Sequence, residues 1–146
     1  MSVTLEEFVR TALLADATLN AAIGGNLFLM QLPQNLLNGT PFKALTFQRV
    51  STQREYAHSG PADVGWCRFQ FTAWANTAHA AEDSLNIGYA LFNALKTFNA
   101  AALPASPPVL HQYPNFVINQ FMGIEPNTKP PIYKCILDVR IWFRDQ

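Results

Sequence analysis

The most versatile side chains in this sequence are three histidines, because an imidazole serves as metal ligand, general base or proton carrier. His58, His79 and His111 are scattered, and none has a partner at the usual metal-ligand spacing. His79 precedes Glu82 and Asp83 and could imitate a ligand set. Acidic residues in a first helical turn are better explained by the positive end of the helix dipole. Ser59 adjoins His58, but loop neighbours do not make a triad, and no Gly-x-Ser-x-Gly elbow occurs. Glu6-Glu7 reads as part of a helix cap. Gly24-Gly25 opens a short apolar run instead of a helix, so no phosphate-cradling loop is formed. Cys67 and Cys135 sit far apart in apolar stretches without Cys-x-x-Cys spacing, and read as reduced core thiols. The reading names no catalytic residue, no metal site and no cofactor.

Recognition is the chemistry that remains. Arg49, Arg54, Arg68, Arg140 and Arg144 accompany Trp66, Trp74 and Trp142. Arginine interleaved with aromatics can stack nucleic-acid bases, yet the same residue types dominate protein–protein hot spots. Ten basic residues balance ten acidic ones, so the basic excess of a phosphate-tracking surface is missing and the protein–protein reading is favoured. Only 14% of residues are charged, while 49% are hydrophobic and 12% aromatic. A soluble monomer usually carries about a quarter charged residues. The shortfall, with the surplus of aromatics, points to surfaces covered by other subunits.

The elements that must position these residues follow from spacing. Thr4 and Glu7 form a capping-box pattern, and Leu5, Phe8, Val9, Ala12 and Leu13 follow as a helical stripe. Asp16 starts a second short helix with Leu19 and Ile23 inward, ended by Gly24-Gly25. Residues 27–30 predict a strand and 33–41 a loop. Residues 44–51 alternate as a strand, 52–64 read as a polar hairpin loop or arm, and 65–75 as a further strand. That strand sets Cys67, Phe69, Phe71 and Ala73 on a core face, with Trp66, Arg68, Gln70, Thr72 and Trp74 opposite. A helix capped by Thr77 runs to Thr97, its buried stripe read as Ala81, Leu85, Gly88, Leu91, Phe92 and Leu95. The proline-rich segment 99–115 reads as an arm or loop. Residues 116–125 and 132–144 predict a strand hairpin, with Tyr133, Cys135, Leu137, Val139, Ile141 and Phe143 as its apolar face. The expected class is α+β, a mostly antiparallel sheet of about four to six strands with two main helices on one face. One domain over 1–146 is expected. The start Met1-Ser2-Val3-Thr4 has no signal-peptide pattern and no stretch reaches membrane-spanning length, so a soluble protein made in a cytoplasm is expected.

Taken in order, these segments resemble the bacteriophage tail-completion family, the tail-terminator or head–tail joining proteins. The resemblance lies in Leu13-Leu14-Ala15-Asp16 with Leu19 and Ile23-Gly24, then Leu27-Phe28 with Pro33-Gln34, then residues 45–51. Gly60 with residues 68–75 is its most telling stretch, and Tyr133-Lys134-Cys135 with residues 137–143 is similar to the family's last strand. The sequence departs from the family at residues 103–114, a longer connection, and at Asn26-Leu27, where a charged residue commonly precedes the first strand. The resemblance implies a virion tail protein, assembled in the host cytoplasm, that forms a hexameric ring on the tail tube. Its implied partners are copies of itself, the tail-tube protein and a head-completion or connector protein, with DNA only as passing cargo and no membrane. Face and residue type nominate Arg54, Tyr56, Trp66, Arg68, Gln70, Trp74, Arg140, Trp142 and Arg144 as contact residues. The alternatives are a small ligand-binding domain or enzyme with an aromatic pocket, and a related tail-tube or head-connector subunit.

Overall fold

The computed structural model describes residues 5–33, 41–57, 60–98, 116–125 and 132–144. Thr4 of the capping box, His58, Ser59, His111, the segment 99–115 and the turn 126–131 therefore lie outside the described residues. Two short helices open the chain, α1 (Leu5–Leu14) and α2 (Ala17–Ile23). Asp16 starts α2 as read from the sequence, its Oδ1 accepting from the Leu19 N–H at 2.9 Å. Gly24 closes it in the left-handed region at φ 61°, donating its N–H to the Asn20 carbonyl.

The strands are β1 (Leu27–Leu29), β2 (Lys43–Ala57), β3 (Gly60–Ala75), β4 (Phe116–Glu125) and β5 (Ile132–Arg144). Helix α3 (Ala80–Phe98) lies between β3 and β4 in the chain. The five strands form one sheet in the order β1-β2-β3-β5-β4. β1 runs parallel to β2, and every other neighbouring pair is antiparallel. This is the expected α+β class with a mostly antiparallel sheet; among the described residues there are three helices where two main ones were expected.

All three helices contribute to one core with the same face of the sheet. Val9 and Leu13 of α1, Leu19 and Ile23 of α2, and Ile87, Leu91 and Leu95 of α3 pack with Leu45, Phe47, Phe69, Phe71, Leu137, Val139 and Ile141. Phe47, Phe69 and Phe71 lie within about 6 Å of one another, with centroid separations of 6.3, 5.9 and 6.2 Å. Cys67 and Cys135 are buried in this core as reduced thiols. The ladder sets Cys67 opposite Ile141 and Cys135 opposite Ala73. Six residues of strand, about 20 Å, separate the two thiols, too far for a disulfide.

Two expectations need correction. The arm expected over 52–64 is not a loop in its described part: β2 continues to Ala57 and β3 begins at Gly60. A bulge between Arg49 and Ser51 and a second irregularity between Arg54 and Tyr56 interrupt the alternation that a strand reading relies on. The buried stripe of α3 is also displaced in part. Gly88, Leu91 and Leu95 are buried as expected, and so are Ala80, Ser84, Ile87, Ala90 and Ala94, whereas Ala81 and Phe92 are exposed and Leu85 is half-buried. Ile87, Leu91 and Leu95, with the small Ala90 and Ala94, join the core beneath the sheet.

Candidate interaction surface

The face of the sheet opposite the described helices is built from the alternate positions of β2, β3 and β5. Cross-strand register arranges it in rows. Ala44, Trp74 and Lys134 form one row; Thr46, Thr72 and Ile136 the next; Gln48, Gln70 and Asp138 the third; and Ser51, Arg68 and Arg140 the fourth. Beyond them the register sets Gln53, Trp66 and Trp142 in line. The bulge at Arg49/Ser51 keeps this face polar along β2 by exchanging odd for even positions.

Side-chain contacts within and between the rows tie this face together. The Trp74 Nε1–H donates to Thr46 Oγ1 at 3.0 Å, and Gln48 Nε2 donates to Gln70 Oε1 at 3.0 Å. Arg68 Nη2 donates to Asp138 Oδ2 at 2.8 Å, joining β3 to β5 through an ion pair. The Arg140 guanidinium lies 4.4 Å from the centroid of the Trp66 ring, within cation–π range. Lys134 Nζ lies 5.7 Å from the Trp74 centroid, and a Cβ at Gly123 would meet the Lys134 stem at 3.4 Å. The long lysine chain thus spreads flat over the sheet.

The nominated residues divide into separate groups. Trp66, Arg68, Gln70 and Arg140 come together on this face. Trp74 shares the face but packs against a small cluster of Phe42, Ala44 and Ile132, with Phe28 and Leu32, so part of its ring serves the fold. Trp142 and Arg144 stand in register with Trp66 and Val64, Arg54 with Gly65, and Tyr56 with Pro61. Other residues on this face were not nominated, Asp138, Ile136, Gln48 and Thr46 among them. Asp138 is buried at 5% exposure, Ile136 is buried, and Gln48 and Thr46 hold the neighbouring rows. An aspartate within an apolar strand, alternating with Ile136 and Arg140, was the available signal for a buried ion pair.

Arg49 does not belong to this face. Its Nε pairs with Glu6 Oε1 at 2.7 Å and its guanidinium lies 5.9 Å from the Phe69 centroid, which ties β2 to α1 on the helix side. Asn26 likewise has a structural role, since its Nδ2 donates to the Lys43 carbonyl at 3.1 Å and its own carbonyl accepts from Leu45 at 2.8 Å. A depression at the start of α3 is lined by Thr77, Ala78, His79, Ala80, Ala81, Glu82 and Tyr133. Thr77 does not cap α3 as expected: the helix begins three residues later at Ala80, and Thr77 Oγ1 donates instead to the Asp83 carboxylate. Among the described residues no group of three or more His, Cys, Asp and Glu is placed to hold a metal ion. No described helix is long and apolar enough to cross a membrane.

Large apolar side chains are exposed on α3 (Tyr89 and Phe92), on β2 (Val50) and at the two sheet edges. Leu29 and Met30 end β1, while Met122 and Ile124 project from β4 on the opposite edge. The outer side of β2 is paired with β1 only from Leu45 to Phe47.

The fold defines a class, a mixed five-stranded sheet covered on one face by helices and bare of described helices on the other. A solved chain described as "Virion of native gene transfer agent (GTA) particle" is similar to it, with a TM-score of 0.71 and 17% identity. The match covers 96% of this chain and 94% of that one. No protein-family model and no curated protein matches the sequence.

Proposed function

We propose that this chain is a non-enzymatic structural protein of a phage-like virion, and that it caps the tail tube as a hexameric ring. The observation that carries this reading is the fold likeness to a chain of a gene transfer agent virion along nearly the whole length of both. The order of sequence segments that resembles the tail-completion family supports the finer assignment. A ring of such subunits would meet the last tube ring with one surface and present another that tube subunits cannot extend. Growth then ends through geometry and blocked edges, without catalysis. The capped tail is then ready to join the head, with DNA passing through as cargo.

The contacts assigned to ring and tube are Trp66, Arg68, Gln70 and Arg140 on the bare sheet face, with Trp74 at its margin. Arg54, Tyr56, Trp142 and Arg144 continue them along the β2–β3 hairpin and the end of β5. Assembly would take place in the bacterial host cytoplasm, with the tail-tube protein and a head-completion or connector protein as partners. Electron microscopy of particles made without this chain tests the assignment. Overlong tails lacking heads are expected; tails of normal length joined to heads would overturn it.

A further inference from the structure

The Arg68–Arg140 row holds more positive charge than its surroundings neutralise. The two arginines are direct cross-strand partners, an arrangement in which like charges oppose one another. Among the described side chains of this face the one carboxylate is Asp138, and it is bonded to Arg68. Two guanidiniums against one carboxylate leave one positive charge, carried by Arg140 on the Trp66 ring. Independently of charge, the Nε atoms of both Arg68 and Arg140 are shielded from solvent and have no hydrogen-bond partner. A buried N–H without an acceptor is costly, and a charged donor more so. The Trp66 ring beside it restricts the Arg140 guanidinium, which holds its remaining donors ready for a planar acceptor.

We propose that this row is a receptor for a carboxylate, supplied by an acidic protein segment that lies across the bare sheet face. The inference rests on the reading of this face as an assembly surface and names the chemistry of its partner. Charge complementarity selects the occupant. A nucleic-acid track needs a succession of cations to follow the phosphates, whereas here one uncompensated guanidinium sits in a half-buried row between Trp66 and Gln70. A single Asp or Glu side chain matches that charge and supplies two acceptor oxygens.

The test uses the full chain, labelled with nitrogen-15, and follows the arginine Nε–Hε signals. The probes are blocked glutamate, blocked glutamine and a short oligothymidylate. Saturable shifts of the Arg68 and Arg140 signals with blocked glutamate are expected, and none with glutamine. Arg140→Gln should weaken the response at least about tenfold, Arg140→Lys should weaken it less, and Arg10→Gln, at an exposed position of α1, should leave it intact. No saturable difference between glutamate and glutamine would overturn the proposal, as would tighter binding of the oligothymidylate at the same row. Because the isolated chain is titrated, the two readings fail separately. Saturation by glutamate together with normal tails in particles lacking the protein would keep the carboxylate receptor and discard the tail cap.

Discussion

Asp138 and Arg68 are bonded to each other but are not equivalent. The Asp138 side chain is 8% exposed, whereas that of Arg68 is 43% exposed. If Asp138 is replaced by leucine, the guanidinium can turn to water, and the ion pair's loss is softened. If Arg68 is replaced by methionine, a carboxylate stays buried beside Gln70 without its counter-charge. Arg68→Met is therefore expected to cost about 2–3 kcal/mol and Asp138→Leu about 1 kcal/mol or less. Urea unfolding of both variants checks the order, and equal losses would refute the asymmetry. The Asp16 cap is simpler: Asp16→Ala removes the acceptor of the Leu19 N–H and should lower stability by about 1 kcal/mol in the same measurement. Residues of this kind were legible in advance, because a cap is a local device whose partner lies three positions away. Asp138 was not, since its partner lies 70 residues off along the chain and is found only through strand register.

At the scale of elements, β2 and β3 form a ribbon that outruns its neighbours. Among the described residues, β5 pairs with β3 from Val64 to Ala75, so Gly60 to Asp63 has β2 alone beside it. Pro61, which cannot donate to a ladder, falls in this one-sided part. Amides of Thr52 to Ala57 and Gly60 to Asp63 are expected to exchange hydrogen faster than those of residues 67–73, as mass spectrometry of exchanged peptides can show. Equal protection would mean that another segment covers the ribbon. This extension of β2 is hidden in the sequence because residues 52–57 are mostly polar and the bulge breaks their period. Backbone pairing needs neither hydrophobicity nor unbroken alternation. Helix α3 was placed correctly but rotated in the reading, which followed Leu85 and Phe92. The core instead takes Ile87, Ala90 and Ala94 beside the expected Leu91 and Leu95. By contrast, β5 was read with the right buried face, since Cys135, Leu137, Val139 and Ile141 leave no competing period.

Among the described residues, the helices and one sheet face form the main core, and a smaller cluster of Phe42, Ala44 and Ile132 with Trp74 lies at the margin of the other face. Ile124 is 55% exposed on the edge strand β4. Ile124→Lys should change folding stability by less than about 0.5 kcal/mol and reduce self-association at high concentration, as light scattering would register. Unchanged association would exclude this edge as a contact. The candidate surface was partly legible: Trp66, Arg68 and Gln70 were nominated from alternation alone, and their union with Arg140 required knowing that β5 lies beside β3. The directions of the outermost strands carry a further consequence. β1 and β2 run one way and β4 runs the opposite way. Copies placed side by side about an axis along the strands would bring a descending margin against an ascending one at every junction. Up-and-down alternation would then continue from subunit to subunit, so the seam between two molecules could repeat the pattern already found within each.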